Sequence, residues 1–375
     1  MKVVVIRSTA IFKDSRTTKL INELLNLGAE VKVLGWDRLD EYNRFEEIKT
    51  ESGTAKIELY KQPCPYGGGL KNLFKSMKFQ NWVKKKLREL DDDYIIHACD
   101  FDTAKPAFRA KKGKKFINDI FDYFSESREM PKLLKSIVNR CENKIINNAD
   151  AVVICSEQRM KQIKECKPKK LYVVHNTPNM DMKSVSNDNS MLENNNFKVA
   201  YVGVLAEHRL IREILEESKN HLDIEFHIGG IGQLAEFVKG LSKIQSNIIY
   251  HGSMQYGEVL KLEQNCDVLF ATYDPSIKNH KFSAPNKFYE AGALEKPIIV
   301  CKSTGVDELV EKEDCGLAID YSAVQFFDAI IRLKNDKELY KKLSRNGNIA
   351  YNERYSWQIM SEVIRNMYYE VDKLK

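Results

Sequence analysis

The chain has no apolar run of 18 residues, so no segment reads as a membrane span. Its opening apolar stretch, Val3-Val4-Val5-Ile6, is too short for a signal-peptide core. The expectation is a cytoplasmic protein. Close cysteine pairs are missing as well. The 8 cysteines stand singly, at 64, 99, 141, 155, 166, 266, 301 and 315, with no CxxC or zinc-knuckle spacing. Several lie in apolar runs such as Val152-Val153-Ile154-Cys155 and read as reduced, buried thiols. No HxxxH or HExxH occurs, and no required metal is expected. A strong charge of one sign is absent too. With Lys+Arg 59 against Asp+Glu 53 the net charge is +6, too weak to argue for nucleic acid. The first loop, Arg7-Ser8-Thr9-Ala10-Ile11-Phe12, lacks the glycine fingerprint of a nicotinamide dehydrogenase.

What is present is a repeated strand–helix rhythm. A length of 375 residues exceeds one ordinary hydrophobic core, so two domains are expected. Val3–Ile6 reads as a buried strand, Ser15–Leu27 as a helix closed by Gly28, and Val31–Leu34 as the next strand. That is a right-handed βαβ unit of a parallel sheet. Further strands follow at Tyr94–Ile96, Lys115–Ile117, Ala151–Ser156 and Leu171–Val174. Residues 181–196, rich in Ser and Asn, break the rhythm and read as a linker. A second series then runs through Phe197–Val202, Ile224–Ile228, Ile248–His251, Val268–Ala271 and Ile298–Cys301. Helices are expected at Glu207–Ser218, Gly257–Gln264 and Val324–Leu333. The fold class is therefore α/β, with two doubly wound Rossmann-like domains, 1–180 and 197–353. Ligands of such domains bind outside the carboxyl ends of the strands, and the natural site is the cleft between the two. An amphipathic helix within 354–375 either completes the second domain or crosses back to the first.

The second domain carries the sharper chemistry. Gly203 stands where a strand hands over to a helix, and it would let the backbone approach a ligand. Arg209, six residues on, has the donor fork that clamps a diphosphate; a solvated arginine beside a turn glycine is the plain alternative. Gly230 belongs to Gly229-Gly230-Ile231-Gly232, a strand-end cluster suited to a tight turn or to nucleotide approach. Lys287 and Glu290, three apart at the start of a helix, project from one face. They fit either an i,i+3 surface salt pair or a grip on a nucleotide, with Lys287 on phosphate and Glu290 on the ribose hydroxyls.

In the first domain, Arg16 lies in the loop after the first strand, where Asp14 or Ser15 can cap the helix. His97 ends a strand, followed by Asp100 and Asp102. Asp119, Asp122 and Glu126 form a second acidic group. These acids could hold sugar hydroxyls or orient a nucleophile, and His97 is compatible with a structural role at a strand end. Residues 70–88 interleave seven cations with Leu, Phe, Met and Trp and contain no acid. Such a helix can lie on an anionic bilayer, or pack one face and solvate the other.

Taken together, these segments resemble the family 4 glycosyltransferases, retaining enzymes with two Rossmann-like domains in the GT-B architecture. The likeness rests on Pro285-Asn286-Lys287-Phe288-Tyr289-Glu290-Ala291, on Leu294 to Ile299, and on Gly305-Val306-Asp307-Glu308 before Gly316. Asp14-Ser15-Arg16, His97 and Asn176 with Pro178 add weaker matches. The resemblance implies that Glu290 binds the donor ribose and Arg209 the diphosphate. It implies that His97 contacts the donor sugar and that Gly305 and Val306 belong to a donor-side loop. It puts Tyr355-Ser356-Trp357 at the start of a crossing helix. Two positions depart from the family: Val204 replaces the arginine after the glycine, and Phe282 stands where the first motif glutamate falls. Lys287 would fill the missing phosphate contact.

The implied activity is transfer of a hexosyl or N-acetylhexosaminyl group from a nucleoside diphosphate sugar, UDP before GDP, with retention and without a metal. His97, Arg209 and Lys287 are the catalytic candidates. Arg16, Asp119, Asp122 and Glu126 are the acceptor-side candidates. The acceptor would be a glycan or a lipid-linked sugar, with the inner face of the cell membrane as a place of peripheral contact. Two alternatives share the fold. One is a nucleotide-sugar 2-epimerase using His97 and Asp119 as acid and base. The other is a non-catalytic nucleotide-sugar-binding component of a polysaccharide assembly complex, suggested by Phe282.

Overall fold

The computed structural model describes residues 1–12, 14–64, 72–128, 130–179 and 196–374. The expected linker therefore lies outside the described residues except for Asn196, as do positions 70 and 71 of the basic segment. Contacts divide the chain into two units, Met1–His175 with Met360–Lys375, and Asn176–Ile359. Each is a Rossmann-like α/β domain. Among the described residues no helix is long and apolar enough to cross a membrane.

The first unit is built on an eight-stranded sheet in the order β3-β4-β2-β1-β5-β6-β7-β8. These strands are β1 Lys2–Ile6, β2 Glu30–Asp37, β3 Phe45–Thr50, β4 Gly53–Lys61, β5 Tyr94–Cys99, β6 Phe116–Ile120, β7 Ala151–Ile154 and β8 Leu171–Val173. All neighbours are parallel except β3, which pairs antiparallel to β4. The central strands are apolar on both sides because helices cover both faces. Helices Leu73–Arg88, Phe101–Ala110 and Lys132–Asn148 share one core with β1 and β5. Asp14 caps the first helix, accepting from Thr17 N at 3.1 Å, and Gly28 leaves it at φ +70°.

The second unit has a six-stranded, all-parallel sheet in the order β11-β10-β9-β12-β13-β14. Its strands are β9 Phe197–Val202, β10 Ile224–Gly229, β11 Ile248–Gly252, β12 Val268–Ala271, β13 Ile298–Cys301 and β14 Gly316–Ile319. The helix expected at Glu207–Ser218 departs most from its expected bounds. Glu207–Arg209 forms a single 3₁₀ turn, and the helix proper is Ile211–Glu217. Leu210 between them sits at φ +56°, a left-handed conformation that interrupts the helical path.

The boundary between units falls earlier than the expected linker. Asn176 Nδ2 donates to Ala284 O at 3.3 Å, and Tyr351 OH donates to Pro178 O at 3.5 Å, which ties 176–178 to the second unit. The C-terminal helix Trp357–Asp372 begins in the second unit, and from Met360 onward it belongs to the first. Its Met360, Ile364, Met367 and Tyr368 are buried, Arg365 pairs with Glu23, and Lys170 Nζ donates to Glu370 at 2.6 Å.

Candidate functional site

In the second unit the nominated residues collect at the carboxyl edge of the sheet. Four loops meet there, after β9, β10, β12 and β13. Gly203 N donates to Gly229 O at 3.0 Å, which binds the first two loops together. A side chain at Gly230, φ +123°, would put its Cβ 1.8 Å from Gly203 O, so only glycine fits. Thr272 Oγ1 donates to Arg209 O, and Asp274 N to His208 O at 3.2 Å, joining the loops after β9 and β12. Ser283 Oγ donates to Thr304 O at 2.6 Å, joining those after β12 and β13. Gly305, φ +79°, leaves no room for a Cβ beside Lys281 O at 2.7 Å. Val306, fully buried, then starts the helix Val306–Glu313, and Asp307 in its first turn ties the preceding loop by accepting from Ser303 N at 2.6 Å and Thr304 N at 3.1 Å.

Arg209 lays its guanidinium over the Tyr273 ring, 4.1 Å from the centroid. Tyr201, from the end of β9, lies between Arg209 and Lys287. Its hydroxyl donates to Val204 O at 2.9 Å, Lys287 Nζ is 5.8 Å from its ring, and burial pushes the phenol up to about 12. Lys287 is buried. Its ammonium lies 2.7 Å from Glu263 Oε1 and 3.4 Å from Glu290 Oε2. Burial pulls the Lys287 ammonium toward neutrality, but Glu263 and Glu290 outweigh it and hold the proton on. Glu263, with no exposed surface, is raised to about 8 by burial; Lys287 opposes the rise and Glu290 adds to it. Two buried carboxyl groups thus share one ammonium. Burial and neighbouring Glu290 push the Tyr256 phenol far upward, keeping it neutral beside them.

The first unit gathers a second cluster at the carboxyl edge of its own sheet. Arg16 donates to Asp119 Oδ1 at 2.9 Å and to Val174 O. Arg7 pairs with Asp14 Oδ2 at 2.6 Å and with Asp100. Both guanidinium groups lie over Phe121, at 4.1 Å for Arg7 and 4.9 Å for Arg16. Asp100 Oδ1 accepts from Phe121 N at 2.9 Å and Asp122 N at 3.1 Å. Burial raises the Asp100 carboxyl to about 6 against the pull of Arg7. Burial also pushes Asp119 up, but Arg16 and His97 overcome it and hold that carboxyl below its usual range.

His97 is buried with both ring nitrogens engaged, Nε2 at 3.3 Å from Asp119 Oδ2 and Nδ1 at 2.7 Å from Tyr368 OH. If the phenol donates to Nδ1, the ring proton sits on Nε2 and faces the carboxylate. His97, Cys99 and Asp119 have potential ligand atoms within 4.8 Å of one another. Burial holds the Cys99 thiol in its neutral form, and His97 and Asp119 are already bonded, so this donor set is a poor fit to a metal. Asp122 lies apart on Arg159, at 2.8 Å, and Glu126 accepts from Gln162 Nε2 at 2.8 Å.

The structure thus brings together Gly203, Arg209, Gly230, Lys287, Glu290, Gly305 and Val306 within one sheet edge, and Arg16, His97 and Asp119 within another. Arg7, Tyr201, Tyr273 and Glu263 were not singled out from sequence. Arg7 could have been, since it directly follows an apolar strand, and Asp100, noted as one of the acids after His97, proves to be its partner. Glu263 sits in a helix with no motif around it and gave no signal.

Residues 185–349 match the family model described as glycosyl transferases group 1. Over 203 residues the chain is 25% identical to the capsular polysaccharide biosynthesis glycosyltransferase CapM of Staphylococcus aureus. The match covers 48% of this chain and 50% of that protein, so the chain spans about half the length of the curated relative. Among solved structures, it resembles sucrose-phosphate synthase from Thermosynechococcus elongatus with a TM-score of 0.80 and 14% identity over 99% of each chain. It also resembles Anabaena HepE in complex with UDP, with a TM-score of 0.70 and 15% identity over 99% of this chain and 100% of that one. The fold is of the GT-B type.

Proposed function

We propose that the chain is a glycosyltransferase that moves a hexosyl or N-acetylhexosaminyl group from a nucleoside diphosphate sugar, UDP before GDP, to a glycan or lipid-linked acceptor with retention. The observation that carries this is the presence, at one sheet edge, of the tyrosine-backed Arg209 and of Glu290 held 3.4 Å from the buried Lys287 ammonium. In this reading the second domain, 197–353, holds the donor and the first, 1–180, the acceptor. Glu290 takes the ribose hydroxyls. Arg209 and the N-terminal end of helix Val306–Glu313 take the diphosphate, helped by the close backbones at Gly203, Gly230 and Gly305.

The leaving group is itself a competent anion. Transfer therefore needs positive groups where its charge grows, which Arg209 and the helix-end amides supply without a metal. Lys287 acts through Glu290 and Tyr201 rather than by direct phosphate contact, because Glu263 already takes its nearest bond. Attack from the same face as departure, assisted by the leaving phosphate, gives retention, and no protein nucleophile is assigned. His97 meets the donor sugar only by giving up Tyr368 or Asp119. Arg16, Asp119, Asp122 and Glu126 belong to the acceptor side, Arg16 and Asp119 as a mutually neutralised pair. By analogy with CapM the setting is assembly of a surface polysaccharide in the cytoplasm, and residues 70–88 contact the membrane when the acceptor is lipid-linked.

The test offers UDP-, GDP- and dTDP-sugars with crude soluble and membrane acceptors. Acceptor-dependent release of UDP together with labelled product is expected, and both should collapse in Glu290→Ala. Isomerisation of the donor without acceptor would make the chain an epimerase. Tight donor binding with no transfer to any acceptor would make it a binding component.

A further inference from the structure

Two helices of the first unit leave apolar side chains in water at their N-terminal turns. Helix Leu73–Arg88 buries Phe79, Val83 and Leu87 but exposes Leu73, Met77 and, at 73%, Phe74. Helix Lys132–Asn148 buries Ile145 and Ile146 but exposes Leu134, Ile137 and, at 78%, Leu133. Exposed apolar residues scattered singly are ordinary, whereas clustered ones mark contact surfaces.

The topology puts the two clusters on one rim. Each helix follows a strand of a parallel sheet and runs back to feed the next, so its first turn lies at the carboxyl edge. Both pack against helix Phe101–Ala110, and all three share the core on one face of the sheet. Arg7, Arg16 and Asp100 lie at the same edge.

Charge identifies the occupant. Helix Leu73–Arg88 carries Lys75, Lys78, Lys84, Lys85, Lys86 and Arg88 and no acid. Helix Lys132–Asn148 carries Lys132, Lys135, Arg140 and Lys144, and its acid, Glu142, is buried on the backbone N–H groups of Phe124 and Ser125 at 2.8 and 3.0 Å. Lys86 is paired with Glu58 and Glu89 at the far end of its helix, but Lys75, Lys78, Lys132 and Lys135 stand beside the apolar tips with no acid in the same turns. That combination matches the interface of an anionic bilayer, where side chains enter the acyl boundary and ammonium groups reach phosphates. A second copy docked through the same patch would set cations against cations.

We propose that the first turns of helices Leu73–Arg88 and Lys132–Asn148 form one two-point docking surface for an anionic membrane. It seats the carboxyl edge of the first domain at the lipid headgroups. Its use for presenting a lipid-linked acceptor rests on the transferase reading, whereas the binding itself does not.

The test is cosedimentation of the full chain with vesicles of phosphatidylcholine alone or mixed with phosphatidylglycerol, at low and high salt. Wild type should bind the anionic vesicles, less so as salt rises. Phe74→Glu/Met77→Glu and Leu133→Glu/Leu134→Glu should each lower partitioning about tenfold or more, and together abolish it, with unchanged thermal melts. No preference for anionic vesicles overturns the proposal. So does loss confined to one pair of substitutions, or a change of oligomeric state in place of vesicle binding. Binding without sugar transfer would keep the docking surface and remove the transferase reading, and transfer without binding would do the reverse.

Discussion

The Lys287 ammonium lies nearer to Glu263, at 2.7 Å, than to Glu290, at 3.4 Å, although Glu290 is one helical turn away and Glu263 is 24 residues distant. The long-range partner therefore takes the stronger bond. This leaves Glu290 with the longer and weaker hold on the shared ammonium. Lys287→Met would leave two buried carboxyl groups without their shared cation, and breaking such a pair typically costs about 3–5 kcal/mol. Lys287→Met combined with Glu263→Leu should recover most of that loss in urea unfolding. Strictly additive costs in the double-mutant cycle would refute the coupling.

Arg209 owes its pose to Tyr273, 4.1 Å below its guanidinium. Lysine retains the charge and loses both the stack and the fork. Titration calorimetry with UDP should show affinity falling roughly tenfold in Arg209→Lys and roughly a hundredfold in Arg209→Ala. Unchanged UDP binding by Arg209→Ala would remove Arg209 from the diphosphate site.

Tyr368 reaches from the C-terminal helix to His97 Nδ1. Tyr368→Phe leaves a buried ring nitrogen without its partner, a loss of about 1–3 kcal/mol. The same change in a His97→Phe background should cost much less. Equal costs in both backgrounds would show that the hydroxyl stabilises something else.

Gly230 has no room for a methyl group. Gly230→Ala should destabilise by about 3 kcal/mol or more, from the clash with Gly203 O and the left-handed backbone. Gly240 lies in a helix with nothing within 4 Å of its would-be Cβ, so Gly240→Ala should hold or raise the melting temperature. Matching melts for the two variants would contradict the packing of the loops after β9 and β10.

Acid should weaken the second domain through His251. Its Nε2 lies 3.0 Å from His227 Nδ1, and burial, with His227, pushes its pKa down to about 4. An unfolded histidine takes a proton near pH 6.5. As pH falls from about 6.5 to about 4, the unfolded chain binds a proton that the folded one refuses, so stability drops. The loss attributable to His251 is no more than about 3 kcal/mol. Thermal melts across that range should flatten in His251→Phe, and an unchanged slope would assign the acid sensitivity elsewhere.

Most of the parallel strands were legible because a strand buried on both faces is written as a continuous apolar run, as at Val3–Ile6, Val268–Ala271 and Ile298–Cys301; the parallel strands β4 and β14, poorer in such runs, were not. The antiparallel edge strand β3, Phe45–Thr50, was not, since its Phe-Glu-Glu-Ile-Lys-Thr pattern is half exposed and weakly apolar. The helix expected from Glu207 starts at Ile211 because Leu210 turns left-handed, a backbone state that apolar periodicity does not encode. Within the basic segment, helix Leu73–Arg88 buries one face through Phe79, Val83 and Leu87. Which of its apolar residues stay exposed depended on helix Phe101–Ala110, packed against it.

From sequence alone came the α/β rhythm, the two domains and the positions of Arg209, Lys287 and Glu290 near strand ends. These follow from local periodicity and from the order of elements along the chain. Tertiary structure decided the partners. It turned Lys287 toward Glu263, set Tyr273 under Arg209, closed both nitrogens of His97 and brought the C-terminal helix into the first unit. A buried charge must find its counter-charge wherever packing brings one within a few ångströms, and sequence spacing carries no record of that distance.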